Sequence, residues 1–126
     1  FAVRTAKVHA MHDPTEGGIA TAVHEFAIAA NTGVSIEAEK IPLLPEGRLV
    51  CDYFGLDPLG CIASGSLLLA VPYKSVEPLL KAFDQTGIPA ADIGKLTPEN
   101  EGFVLVENDV KHILPIFPQD EITKIF

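Results

Sequence analysis

The stretch that decides the fold is His12-Asp13-Pro14-Thr15-Glu16-Gly17-Gly18, which runs directly into Ile19-Ala20-Thr21-Ala22-Val23-His24-Glu25-Phe26. Proline disfavours helical geometry at the residue before it, so the chain breaks at Asp13. Apolar residues then recur at helical spacing, and Asn31-Thr32-Gly33 supplies a stop. The pattern predicts a helix over residues 17–30.

The turn at the start of this helix is a candidate anion site. The first amides of a helix lack intrahelical partners and lie at the positive end of its dipole, where proteins hold phosphate. Asp13 or Thr15 could cap the helix, and Gly17 and Gly18 place no Cβ between a ligand and the backbone. An ordinary cap without a ligand fits the same residues. The Glu16 carboxylate would repel an anion unless a cation such as Mg²⁺ lay between them.

Outward from this helix, strand and helix patterns alternate. Further strands are predicted at residues 34–38, 90–96 and 102–106, and further helices at residues 46–54 and 75–86. Residues 7–11 are predicted to be extended, and the apolar run 66–71 to be a central strand buried on both faces. Asn108-Asp109 predicts a turn, and the tail 111–126 shows little periodicity. We expect an α+β (α/β layered) fold with a mixed β-sheet packed with helices.

Length and composition limit the class of protein. A chain of 126 residues with 48% hydrophobic and 21% charged residues is typical of one globular domain. The net charge of −8 argues against a nucleic-acid partner, and no apolar run is long enough to span a membrane. Without a secretory signal or a CxxC pair, Cys51 and Cys61 are predicted to be reduced and the protein cytoplasmic. Because the chain starts at Phe1 without an initiator Met, we expect a domain of a longer protein.

A second candidate loop contains Asp57-Pro58-Leu59-Gly60 and Ala63-Ser64-Gly65-Ser66. Its small residues and hydroxyls could cradle a substrate, or could simply form a tight loop that leads into the next strand. The loop contains no Gly-x-Ser-x-Gly pattern, so a serine hydrolase is not favoured.

Histidines and cysteines leave alternatives open. Of His9, His12 and His24, His12 is best placed to contact a ligand, and His24 is predicted to be solvated. The three lack the i, i+4 spacing of helical zinc sites, so no metal ligand is assigned. Cys51 and Cys61 could be a redox pair, but their apolar neighbours favour buried structural thiols.

Three blocks, residues 9–22, 41–45 and 56–68, resemble in order the C-terminal domain of the aminoimidazole ribonucleotide (AIR) synthase-related superfamily. The resemblance covers residues 8–96 and is greatest to the HypE-like hydrogenase expression/formation proteins. It implies an ATP-dependent protein whose N-terminal domain supplies most nucleotide and Mg²⁺ ligands and much of a homodimer interface. The C-terminal domain would close the cleft with its glycine-rich turn.

The resemblance also implies a site. Its phosphate- or substrate-binding residues would be His12, Asp13, Thr15, Gly17, Gly18, Ser64 and Gly65, and the reaction would be phosphoryl transfer to an oxygen of an unknown substrate. The isolated domain would be inactive, and its partners would be its own N-terminal domain, a second copy and proteins of a maturation complex.

Two departures from the HypE pattern favour a different substrate. The chain ends in Phe126 where HypE proteins end in an acceptor cysteine, and Glu16 stands where the HypE turn usually carries a basic residue. The alternative is a non-catalytic binding or regulatory module in a maturation complex.

Overall fold

A computed structural model describes residues 1–126. Four α-helices are present: α1 (Ala2–Thr5), α2 (Gly18–Ala30), α3 (Pro45–Phe54) and α4 (Val76–Gln85). Six strands accompany them: β1 (Ala10–His12), β2 (Gly33–Glu37), β3 (Leu68–Ala70), β4 (Gly94–Thr97), β5 (Phe103–Glu107) and β6 (Val110–Ile113). Two of the short 3-10 helices, Pro58–Gly60 and Glu121–Ile125, matter for the site.

The strands form two sheets. The larger has the order β4-β2-β5-β6, in which β2 and β5 are parallel and the outer pairs are antiparallel. The smaller is the antiparallel pair β1-β3. A mixed sheet packed with helices confirms the predicted α+β class.

Helix α2 provides one side of the core. Its small apolar residues pack against β2, β5 and the residue after β6, in a cluster formed by Ala20, Val23, Ala27, Val34, Ile36, Leu105 and Leu114. Alanines at helical spacing allow the helix to lie close to the sheet. Because α2 begins directly after the glycine turn, this packing fixes where the turn sits.

Several predicted elements are confirmed within one or two residues. Helix α2 covers residues 18–30, β2 covers 33–37, α3 covers 45–54 and α4 covers 76–85. Each has a strong local pattern, with a glycine or asparagine stop after α2 and α3. Strand β5 also agrees, whereas β4 is shorter than predicted and begins only at Gly94.

Two predictions were wrong. Residues 66–71 do not form a central strand, because only Leu68–Ala70 is a strand, it pairs with β1 alone, and it is half-buried. The buried centre of the larger sheet is β2, which lies between β4 and β5. The turn predicted at Asn108-Asp109 is confirmed, with φ of 49° and 62°, but the tail after it is more regular than predicted, because the turn pairs β6 with β5.

No helix of the structure is long and apolar enough to cross a membrane.

Candidate functional site

The two candidate loops lie at the same end of the small sheet. Strands β1 and β3 are antiparallel, with His12 opposite Leu68, so the turn after β1 and the loop before β3 emerge side by side. The Ala63 N–H donates a hydrogen bond of 3.2 Å to the carbonyl oxygen of Thr15. The sequence-predicted loops are therefore joined at this point.

Gly18 makes the contact between the turn and the 3-10 helix at residues 58–60 possible. Its φ is +65°, a left-handed conformation that favours glycine. A Cβ here would lie 2.5 Å from the carbonyl oxygens of both Leu59 and Cys61. The second glycine of the motif is therefore required by close backbone packing, whether or not a ligand approaches.

The N–H of the first glycine is hydrogen-bonded to a carboxylate from a distant part of the same chain. The Gly17 N–H donates to Oδ2 of Asp120 at 2.8 Å, and Oδ1 of Asp120 accepts from the Ile122 N–H at 3.0 Å. Gly17 is the N-cap of α2, and no side chain caps the helix from within the turn. The prediction that Asp13 or Thr15 caps α2 was wrong, because neither side chain accepts a hydrogen bond from the helix; the only side chain bonded to the N-cap residue is a carboxylate distant in sequence.

Glu121 holds the same C-terminal segment to the second loop. Its Oε2 accepts from the Asp57 N–H at 2.9 Å, and the Lys124 ammonium bonds the carboxylate at 2.6 Å. The Asp57 hydrogen bond and then Lys124 lower the pKa of Glu121, whose side chain is only 6% exposed. We call residues 120–124 the C-terminal clasp, because they bond both loops.

Glu121 gives the domain a pH-dependent stability. Its folded pKa lies below the ordinary carboxyl value, so its contribution is complete above that value and is lost as pH falls through the folded pKa. Glu121→Gln is expected to lower the free energy of unfolding by about 1–2 kcal/mol at neutral pH. The difference should shrink at about pH 3. Urea denaturation at both pH values measures it.

The control for this prediction is Glu107→Gln, at an exposed position at the end of β5. It should change the free energy of unfolding by less than about 0.5 kcal/mol. An equal loss in both variants, or a Glu121→Gln deficit that persists unchanged at low pH, would contradict the role of the clasp.

The polar residues predicted for the site lie around this junction. Nε2 of His12 is 2.7 Å from Oε2 of Glu25, and Nδ1 of His12 is 3.8 Å from the 87% exposed Asp13 side chain. Thr15 is exposed and joins the junction through its carbonyl oxygen. Ser64 and Gly65 are exposed at the tip of the second loop. Their ligand-binding roles remain predictions.

His24 is not solvated as predicted. It is half-buried, with Nε2 3.3 Å from the carbonyl oxygen of Leu114 and 3.2 Å from that of Pro115, and its ring lies 4.9 Å from that of Phe103. Because α2 faces the sheet, this position meets the chain leaving β6. No cluster of three or more histidine, cysteine or acidic side chains is arranged to hold a metal ion.

Sequence reasoning missed the clasp. Asp120 and Glu121 lie in the tail without periodicity, more than 60 residues from the loops that they bond. One local pattern was available, since an aspartate before Glu121-Ile122 is typical of a helix N-cap. That pattern predicts a short helix but not its place in the fold.

The fold and the glycine-rich turn define a class of protein. Residues 1–107 match the family described as AIR synthase related protein, C-terminal domain. The chain belongs to this family.

Its relatives are named as hydrogenase expression or formation proteins and as carbamoyl dehydratases. The chain is 37% identical over 101 residues to the Methanocaldococcus jannaschii protein MJ0676, named for hydrogenase expression or formation, covering 79% of this chain and 30% of that protein. It is 36% identical over 101 residues to the carbamoyl dehydratase HypE of Rhizobium leguminosarum bv. viciae, covering 79% and 29% respectively. The chain therefore spans about 30% of the length of these relatives.

Solved structures agree with the fold. The crystal structure of Escherichia coli HypE, a hydrogenase maturation protein, has a TM-score of 0.85 at 32% identity, covering 99% of this chain and 41% of that one. A HypE structure in complex with ATP has a TM-score of 0.82 at 25% identity, covering 94% and 38%. The chain is thus an AIR synthase-related, HypE-like domain.

Proposed function

We propose that this chain is the C-terminal domain of an ATP-dependent HypE-like protein and that its glycine-rich turn forms one wall of a nucleotide or substrate cleft. The reaction would be phosphoryl transfer from ATP to an oxygen of a substrate that remains to be identified. The domain preceding it would supply most of the nucleotide and Mg²⁺ ligands. The isolated domain would be inactive.

One observation carries the proposal. An anionic oxygen lies 2.8 Å from the backbone nitrogen of Gly17, the N-cap residue of a 13-residue helix. A phosphate oxygen has the same charge and hydrogen-bonding capacity as the Asp120 carboxylate oxygen, so the residues present fit an anion. ATP supplies the transferable phosphoryl group when bound.

Each residue of the turn would have its own task. Gly17 would offer its amide to an oxygen anion, and Gly18 would hold the turn against Leu59 so that this amide stays oriented. The carboxylates of Asp13 and Glu16, both exposed, would face Mg²⁺ instead of the bare phosphate. His12, fixed by Glu25, would contact the substrate from the end of β1.

Asp120 also favours the second candidate function, a non-catalytic binding or regulatory module in a maturation complex. In this arrangement the Gly17 amide already has an internal acceptor, so an anion would bind there only after the clasp moves. We propose a homodimer, maturation-complex partners and a cytoplasmic location for the whole protein in either case. The relatives' names, which refer to hydrogenase maturation, support such partners.

The test uses the full-length polypeptide with Mg²⁺ and ATP. Asp13→Ala removes an 87% exposed carboxylate with no hydrogen bond to the rest of the domain, so the fold should be unaffected. We expect the rate of ATP turnover to fall at least about tenfold, because the carboxylate proposed to face Mg²⁺ is lost. Steady-state phosphate release measures the rate.

Asp84→Ala, at an exposed position of α4, is the matched control and should keep the full rate. Asp120→Ala separates the two candidate functions. If the turn binds a nucleotide, freeing the Gly17 amide should maintain or raise ATP affinity. Unchanged turnover in Asp13→Ala would count against catalysis by this domain and favour the binding module.

A further inference from the structure

Two thiols that are ten residues apart in the chain meet next to the glycine turn. Cys51 lies in α3 and Cys61 directly follows the 3-10 helix at residues 58–60, and their Sγ atoms are 3.8 Å apart. Both cysteines are free, Cys51 buried and Cys61 half-buried. Since a disulfide needs about 2 Å between the sulfurs, closure requires a shift of under about 2 Å.

We propose that Cys51 and Cys61 are a reversible modification site, which a low-molecular-weight disulfide of the glutathione class oxidises to an intramolecular disulfide. The two thiols differ in exposure, and the reaction requires this difference because one thiol must meet the reagent and the other must react only with its partner. Cys61 is half-buried and is therefore the thiol that an incoming reagent would reach first, whereas Cys51 is only 7% exposed and would act on its neighbour.

The step balances as two thiol–disulfide exchanges. Sγ of Cys61 attacks one sulfur of the reagent, forming a mixed disulfide and releasing one small thiol. Sγ of Cys51 then attacks Sγ of Cys61, forming the Cys51–Cys61 bond and releasing the second thiol. The two cysteines lose two electrons and two protons, and the reagent is reduced to two thiols.

The surroundings of Cys61 slow the first exchange. Burial raises the pKa of the Cys61 thiol to about 12, and the hydrogen bond with Cys51 and the carboxylates of Asp120 and Glu121 act in the same direction. Lys124, the cation that bonds Glu121, offsets part of that negative charge. Because the thiolate is the attacking form, the first exchange should accelerate about tenfold per pH unit below this pKa.

Oxidation would act on the candidate site through the backbone. The carbonyl oxygen of Cys61 is one of the two atoms against which Gly18 packs, and the N–H of Ala63 bonds Thr15. A disulfide would tie this loop to α3. In the oxidised form, the turn at residues 13–18 would therefore pack against a loop that is cross-linked to α3. In the reduced form, that loop would be able to move relative to α3.

Peptide mass spectrometry tests the proposal in the full-length polypeptide. Trypsin cleaves after Arg48 and Lys74, so one peptide, residues 49–74, carries both cysteines whatever others the polypeptide contains. After incubation with oxidised glutathione at mildly alkaline pH, this peptide should lose two hydrogens and carry no glutathione. Dithiothreitol should restore it. In urea-unfolded protein, glutathione adducts should accumulate instead.

Cys51→Ser removes the resolving thiol, so peptide 49–74 should then hold at least about tenfold more glutathione, attached to Cys61, than in the unmodified chain. Cys61→Ser should leave the buried Cys51 unmodified. A stable glutathione adduct on the folded wild-type peptide, or no reaction when the same peptide reacts after unfolding, would overturn the proposal. The comparison of folded with urea-unfolded wild-type protein tests the proposal even if a variant fails to fold.

Discussion

Gly18→Ala is expected to lower the free energy of unfolding by about 3 kcal/mol or more. An alanine with a positive φ costs about 1–2 kcal/mol by itself. The new Cβ would also lie 2.5 Å from two carbonyl oxygens, those of Leu59 and Cys61, and backbone atoms cannot rotate away as a side chain can. The turn or the second loop must shift. Urea denaturation followed by circular dichroism measures the loss.

Gly55→Ala separates the two causes. Gly55 has a φ of +66°, almost that of Gly18, and a Cβ there meets nothing within 4 Å. This control should lose only about 1–2 kcal/mol, the conformational part. The prediction fails if both variants lose the same amount, since the close approach of the two loops would then contribute nothing.

Leu114→Ala is expected to cost about 3 kcal/mol or more of unfolding free energy. Leu114 is fully buried and belongs to the cluster in which α2 packs on the larger sheet. Truncating a buried leucine removes apolar contacts and leaves a cavity that the surroundings only partly fill. The backbone hydrogen bond from Leu114 to Phe103 is retained in the variant. The loss is again measured by urea denaturation.

Its neighbour provides the control. Ile113 is 86% exposed at the end of β6, so Ile113→Ala should change the free energy of unfolding by less than about 0.5 kcal/mol. A small effect in Leu114→Ala, or similar effects in both variants, would show that the segment after β6 is not part of the core.

Only the two loops of the candidate site were predictable from the sequence, and the clasp that bonds them was not. The residues 12–18 and 57–66 carry glycine, proline and hydroxyl patterns that mark turns, and the two loops do meet through Thr15 and Ala63. Nothing local links Asp120 to Gly17 or Glu121 to Asp57, because these bonds join segments 103 and 64 residues apart. The predicted internal cap failed for the same reason.

Short-range patterns therefore determined helices α2, α3 and α4, the strand β2, the turns and the family of this protein, whereas the short helix α1 was not predicted. Hydrophobic periodicity and helix stop residues act over a few neighbouring positions, so their effect on local structure can be predicted from the sequence. The tertiary structure alone decided that the apolar run 66–71 contributes a strand to the two-stranded sheet instead of the centre of the larger one. It also decided that His24 lies within hydrogen-bond distance of two carbonyl groups and that the clasp bonds both loops. It also brought the two sulfurs within 3.8 Å. These outcomes depend on which distant segments meet, and that is set by packing the whole chain.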